Sequence, residues 1–142
     1  KYGAIFMDFR NALPSMQQHI IIYGHNMKNG TMFHDLVNYK QQDFFEQNRR
    51  IYLLWDGMDT EWEIFCAYIV EPDTIYPIQT SFNGEDDFAA VMNDTIKYAS
   101  TVSPSVIDQT ITIQPSDQVL SLITCTYEYD DSRYVVMARR VK

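Results

Sequence analysis

Apolar residues in this chain come mostly in short runs bounded by polar or turn-forming residues, a pattern that predicts strands more than long helices. Ala4-Ile5-Phe6-Met7 and His19-Ile20-Ile21-Ile22-Tyr23 read as two short strands, separated by a loop holding Asn11 and Pro14. Ile51 to Trp55 and Trp62 to Val70 read as a hairpin across Asp56-Gly57-Met58-Asp59. The second of these alternates at its start and then turns apolar on both faces, as a strand covered on both sides does. Further strands are expected at Thr110-Ile111-Thr112-Ile113, at Val119 to Cys125 and at Tyr134 to Ala138.

Two stretches keep a helical period. Between Thr31 and Asn48, the residues Met32, Phe33, Leu36, Val37, Phe44 and Phe45 are spaced for one buried face. From about Asp86 to Val102, Phe88, Val91, Met92, Ile96, Ala99 and Val102 recur at helical spacing. Glu85-Asp86-Asp87 place negative charge where a helix N-terminus favours it, and Pro104 is the expected stop. Such an apolar stripe requires a surface to cover. With no internal repeat, low-complexity tract or linker, the 142 residues predict one domain, mainly β with helices, around a single core.

Composition narrows the function. Hydrophobic residues make up 46%, and ten tyrosines with eight phenylalanines tilt the chain toward β structure. A net charge of −8 argues against nucleic acid, whose phosphates need clustered Lys and Arg; the only basic cluster is Arg139-Arg140-Lys142 at the end. Two cysteines are too few for a disulfide framework, and both fall inside apolar strand patterns, so they read as thiols. No apolar run approaches the ~20 residues that span a bilayer, and no signal-peptide pattern opens the chain.

The candidate chemistry gathers at predicted strand ends. Cys125 closes its run, and the mostly polar stretch Thr126 to Ser132 separates it from Arg133. Paired as an antiparallel hairpin, the two runs set Cys125 opposite Arg133, a thiol beside a guanidinium that can clamp substrate or an oxyanion. In Ile20-Ile21-Ile22-Tyr23-Gly24-His25-Asn26-Met27 an imidazole follows the end of an apolar strand. Together they predict a thiol enzyme on a β scaffold. Each residue also has a plainer reading: Cys125 as a core thiol, His25 as a turn histidine, Arg133 as a surface partner of Glu128, Asp130 or Asp131. Cys66, flanked by Phe65 and Ala67, reads as core; His19 reads as a strand start and His34 as the polar side of a helix. Asp86-Asp87 and Asp130-Asp131 lack the spacing of a calcium loop, and neither zinc spacing nor a phosphate loop is present, so no metal or cofactor is expected.

These segments resemble the sortase family. Ser121-Leu122-Ile123-Thr124-Cys125 is similar to the segment that ends in the nucleophile, Tyr23-Gly24-His25-Asn26-Met27 to the histidine segment, and Ser132-Arg133-Tyr134-Val135-Val136 to the arginine segment. The likeness runs from Gly3 to Arg140 and is greatest to class B, because the helix at about Asp86 to Val102 falls where that class inserts one, between the sixth and seventh family strands. The resemblance implies a sortase-type closed or partly closed β-barrel. It also implies that the chain starts partway into the domain, without the N-terminal helical part and the first two barrel strands.

The activity so implied is that of a cysteine transpeptidase anchoring proteins to the cell wall of Gram-positive bacteria. Cys125 would attack the carbonyl of a threonine in a sorting signal and form a thioester. His25 would protonate the leaving amine and later deprotonate the incoming one, and Arg133 would hold substrate or oxyanion. Thr124, before the nucleophile, and Asn26, after the histidine, are the candidate substrate-binding residues; strand alternation turns the Thr124 side chain to the face opposite Cys125, which favours a structural or backbone role for it, and a turn role is the alternative for Asn26. Ordinary pKa values of about 8.5 for Cys and 6.5 for His leave most molecules with both groups neutral at pH 7, which fits the family's small thiolate–imidazolium population. The implied partners are surface proteins bearing a C-terminal sorting signal and an amine of the peptidoglycan cross-bridge or its lipid-linked precursor. The implied place is the outer face of the plasma membrane, with the anchor upstream of this chain. A hydrolytic cysteine protease, a pilus-polymerising sortase and an inert β-barrel binding module are the alternatives.

Overall fold

The computed structural model describes residues 6–7, 18–24, 41–55, 58–70, 81–102, 105–125 and 133–142. Seven strands and two helices occur among them: β1 (Phe6–Met7), β2 (His19–Gly24), α1 (Gln42–Gln47), β3 (Arg50–Trp55), β4 (Met58–Val70), α2 (Glu85–Ala99), β5 (Ser105–Ile107), β6 (Val119–Cys125) and β7 (Arg133–Arg140). They form one sheet in the order β1-β2-β6-β7-β4-β3, with β5 on β4. Among the described residues the path does not close on itself.

β4 organises the sheet because it is long and apolar on both faces. Its residues from Ile64 onward are buried, and it pairs antiparallel with β3, β5 and β7. The ladder to β7 shifts register between Ile64 and Cys66, a bulge that puts Phe65 and Cys66 into the same cluster of buried side chains. On one face Ile20, Trp62, Ile64, Ile69, Leu120, Tyr134 and Val136 pack together with Phe45 of α1. On the other, Phe65, Cys66, Tyr68, Val119, Ile123, Val135 and Met137 pack with Phe88 and Met92 of α2. The amphipathic helix thus covers a sheet face, as its stripe requires. Phe88 and Met92 are each almost wholly buried, worth ~1.5–3 kcal/mol apiece in transfer free energy.

Several boundaries differ from the sequence expectation, each for a physical reason. The hairpin turn is shorter: Trp55 pairs with Met58, so only Asp56-Gly57 intervenes, a dipeptide suited to a two-residue connection. α2 ends at Ala99, short of Val102, because the Ser100 and Thr101 hydroxyls donate to the Lys97 and Tyr98 carbonyls at 2.6 and 2.7 Å. Its start is as expected, with Glu85, Asp86 and Asp87 in the first turn, and the Asn83 N–H donates to Asp87 Oδ2 at 2.8 Å. Gly84 ahead of it has φ 95, open to glycine at no steric cost. Of the helix expected from Thr31 to Asn48, Gln42–Gln47 is observed; residues 31–40 lie outside the described residues.

Thr110 to Ile113 is not a strand. Ile111 and Ile113 alternate inward as buried residues, yet among the described residues no strand pairs with them. The Asn93 side chain of α2 substitutes for one: its Oδ1 accepts from the Ile113 N–H at 3.0 Å and its Nδ2 donates to the Ile113 carbonyl at 3.0 Å. Alternation recorded burial correctly, while the ladder partner is a helix side chain.

Candidate active site

β6 and β7 are consecutive antiparallel strands whose register runs from Val119 opposite Arg139 to Cys125 opposite Arg133. The expected facing of thiol and arginine positions is therefore a rung of the ladder, with Cα atoms ~4.5–5.5 Å apart in such pairs. The same rung continues to β4, where Arg133 is opposite Val70. Arg133 is exposed at the first position of its strand, whereas Tyr134, Val135, Val136, Met137 and Ala138 after it are buried. A rigid, packed hairpin stem thus presents its last rung at the sheet end.

β2 brings the third segment to this end. It runs parallel to β6, from His19 opposite Val119 to Gly24 opposite Thr124. The histidine segment and the cysteine segment, a hundred residues apart in sequence, so terminate side by side. His25 and Asn26 lie outside the described residues, as do Glu128, Asp130, Asp131 and His34.

The other cysteine is set apart. Cys66 is a fully buried free thiol in the middle of β4, and burial alone pushes its pKa far above the ordinary thiol range. It therefore stays protonated and unreactive at neutral pH. Among the described residues no group of three or more His, Cys, Asp or Glu is arranged to hold a metal.

Charged groups of the described core cluster toward the other end of β4. Arg49 donates to Asp108 at 2.6 Å and to the Ile64 carbonyl at 2.8 Å, and its guanidinium lies 4.7 Å from the Phe45 ring centroid. Arg139 bonds Glu63 at 3.5 Å. Burial pushes the Asp108 carboxyl up, but hydrogen bonds from Thr110 and Arg49 outweigh it and hold the group below its ordinary pKa. This network ties α1, β4 and β5 together.

One buried polar contact escaped the sequence reading. His19, read as a strand-start residue, is 4% exposed and its Nε2 lies 2.8 Å from Oγ of Ser121, itself 2% exposed. Ser121, a polar residue within an otherwise apolar stretch of Val119 to Ile123, is the signal; its partner becomes evident only once β2 and β6 are known to be neighbours.

Comparison with known proteins places the arrangement. The Sortase domain family matches residues 1–141. Sortase B of Staphylococcus aureus is 31% identical over 142 residues, covering 99% of this chain and 55% of that protein. A crystal structure of Clostridium perfringens sortase B superposes with a TM-score of 0.84 at 31% identity, covering 98% of this chain and 73% of the other. A Staphylococcus aureus sortase B–substrate complex gives 0.81 at 31%, covering 100% of this chain and 63% of the other. The chain belongs to the sortase family. Within it, the likeness is to class B, sortase B proteins, and the chain spans about half the length of the curated relatives it matches.

Proposed function

We propose that the protein is a cysteine transpeptidase in which Cys125, His25 and Arg133 carry the chemistry. The observation that supports this most directly is the pairing of Cys125 with Arg133 at the end of β6 and β7, beside the end of β2. Cys125 as thiolate attacks the carbonyl of a threonine in a sorting signal, giving a tetrahedral oxyanion. The Arg133 guanidinium is one rung away and offers planar N–H donors to that oxygen or to the substrate backbone. His25, following Gly24, donates its proton to the departing amine as the thioester forms, and takes one from the incoming amine as the amide forms. Thr124 and Asn26 contribute to substrate binding from the residues next to this pair.

The substrate is a surface protein carrying a C-terminal sorting signal, and the acceptor is an amine of peptidoglycan or its precursor. A solved structure similar to this chain is a sortase B–substrate complex, which supports a substrate-binding role for the same fold here. The working place is the outer face of the plasma membrane. Among the described residues no helix is long and apolar enough to cross a membrane.

A fluorogenic peptide with the cognate sorting signal, incubated with a glycine-rich or diaminopimelate-type amine, tests the reading. An amide-linked product that disappears in Cys125→Ala and His25→Ala is expected. Free acid as the only product at saturating amine contradicts it and favours a hydrolase.

A further inference from the structure

β2 and β6 are, among the described residues, the one parallel pair in the sheet, and no tight turn fixes their register. Their apolar residues do not fix it either. Side chains alternate with period two, so a shift of two residues leaves every side chain on its own face. Ile21 would then meet Val119 or Ile123 where it now meets Ser121. Such a shift moves one strand end past the other by about 6.6 Å, enough to separate a histidine after β2 from a cysteine at the end of β6.

Polar contacts at the start of β2 break this degeneracy. The buried His19 Nε2 and Ser121 Oγ lie 2.8 Å apart. Next to them, the Gln18 Nε2 donates to the Pro115 and Asp117 carbonyls at 2.7 and 3.1 Å. The Gln18 carbonyl accepts from the Val119 N–H at 2.7 Å. A two-residue shift in either direction carries the Gln18 side chain away from the Pro115 and Asp117 carbonyls, and the shift that brings Ile21 opposite Val119 also carries His19 away from Ser121, leaving polar atoms buried without their partners, which is costly.

We propose that Gln18, His19 and Ser121 form a register clamp that sets the height of β2 against β6, and that they act as positioning residues for His25 and Cys125. The proposal rests on the reading of His25 and Cys125 as the reacting pair. A buried polar pair contributes little net stability compared with apolar side chains of similar shape, whereas a specific polar contact can select one alignment among several that hydrophobic packing accepts. The clamp therefore acts on alignment more than on stability.

The test compares the full chain with a double variant, His19→Leu with Ser121→Ala, and with the milder Gln18→Ala. Thermal midpoint, kcat and KM for acyl transfer to an amine, and cross-strand NMR contacts between β2 and β6 are measured on each. The double variant is expected to stay folded with kcat reduced about tenfold and KM within about twofold, since small misplacement of reacting groups is expensive in rate. Its contacts from Ile21 should spread from Ser121 toward Val119. An unchanged kcat in the folded variant overturns the proposal, as does a fall in kcat with the parent contact pattern intact. Should the double variant not fold, Gln18→Ala decides by the same measurements. The contact pattern is read without turnover, so a parent chain inactive in acyl transfer counts against the Cys125 reading, while the clamp stands or falls on the contacts.

Discussion

Cys125 and Arg133 occupy one rung of the β6–β7 ladder, and Arg133 is at the same time opposite Val70 of β4. A three-strand rung fixes backbone positions far more firmly than a loop, because each strand below it is buried and hydrogen-bonded on both sides. The backbone positions of residues 125 and 133 are thereby fixed relative to each other, and on the proposed reading this sets the frame for an oxyanion clamp.

Arg133→Lys tests that geometry. The residue is exposed and starts its strand, so the variant should keep the parent's thermal midpoint. It should lose roughly 10²–10³ in kcat/KM because an ammonium cannot reproduce the planar fork. Near-parent turnover would reduce Arg133 to a surface cation.

The two thiols should differ sharply in reactivity. Cys66 is buried and held protonated, so an alkylating reagent applied to folded protein should label Cys125 first, with the adduct located by peptide mass spectrometry. Labelling of Cys66 at a matching rate would contradict the division between core and reactive thiol.

Acid sensitivity is expected at Asp108. Its folded-state pKa is lowered, so its contribution to stability is present above the unfolded value of about 3.9 and is lost as pH falls through the folded value. Denaturant midpoints of parent and Asp108→Asn should therefore differ near neutral pH and converge as the solution is acidified toward and below that range. A gap that stays constant across that range would show that the carboxylate's charge contributes nothing.

Much of the fold was legible because burial imposes period: β2, β3, β4, β6 and β7 all follow apolar runs, and α2 follows its stripe of Phe88, Met92 and Ala99. What misled was period without partner. Ile111 and Ile113 alternate as a strand does, yet Asn93 supplies the hydrogen bonds that a strand would. The candidate site was legible as three strand-end segments, and the structure places Cys125, Arg133 and the stretch before residue 25 at strand ends. Their convergence depends on the parallel β2–β6 pairing, a contact between distant segments that local pattern does not encode.

Asn93 follows from the same contrast. Asn93→Ala should cost about 1–3 kcal/mol in chemical denaturation, since it leaves both the Ile113 N–H and carbonyl without their side-chain partner. Asn93→Asp, which keeps the acceptor and loses the donor, should fall between Ala and parent. Parent stability in both variants would mean that the segment from Ile111 to Ile113 is held by apolar packing alone.

The central claim, that Cys125 carries the acyl group, is tested most directly by intact-protein mass spectrometry of the chain mixed with a sorting-signal peptide in the absence of added amine. A mass increase equal to the acyl fragment, mapped to Cys125, removed by hydroxylamine and by an acceptor amine, and absent in Cys125→Ala, is the predicted result. Cleavage of the same peptide by the Cys125→Ala variant at the parent rate, with no adduct on either protein, would contradict the account.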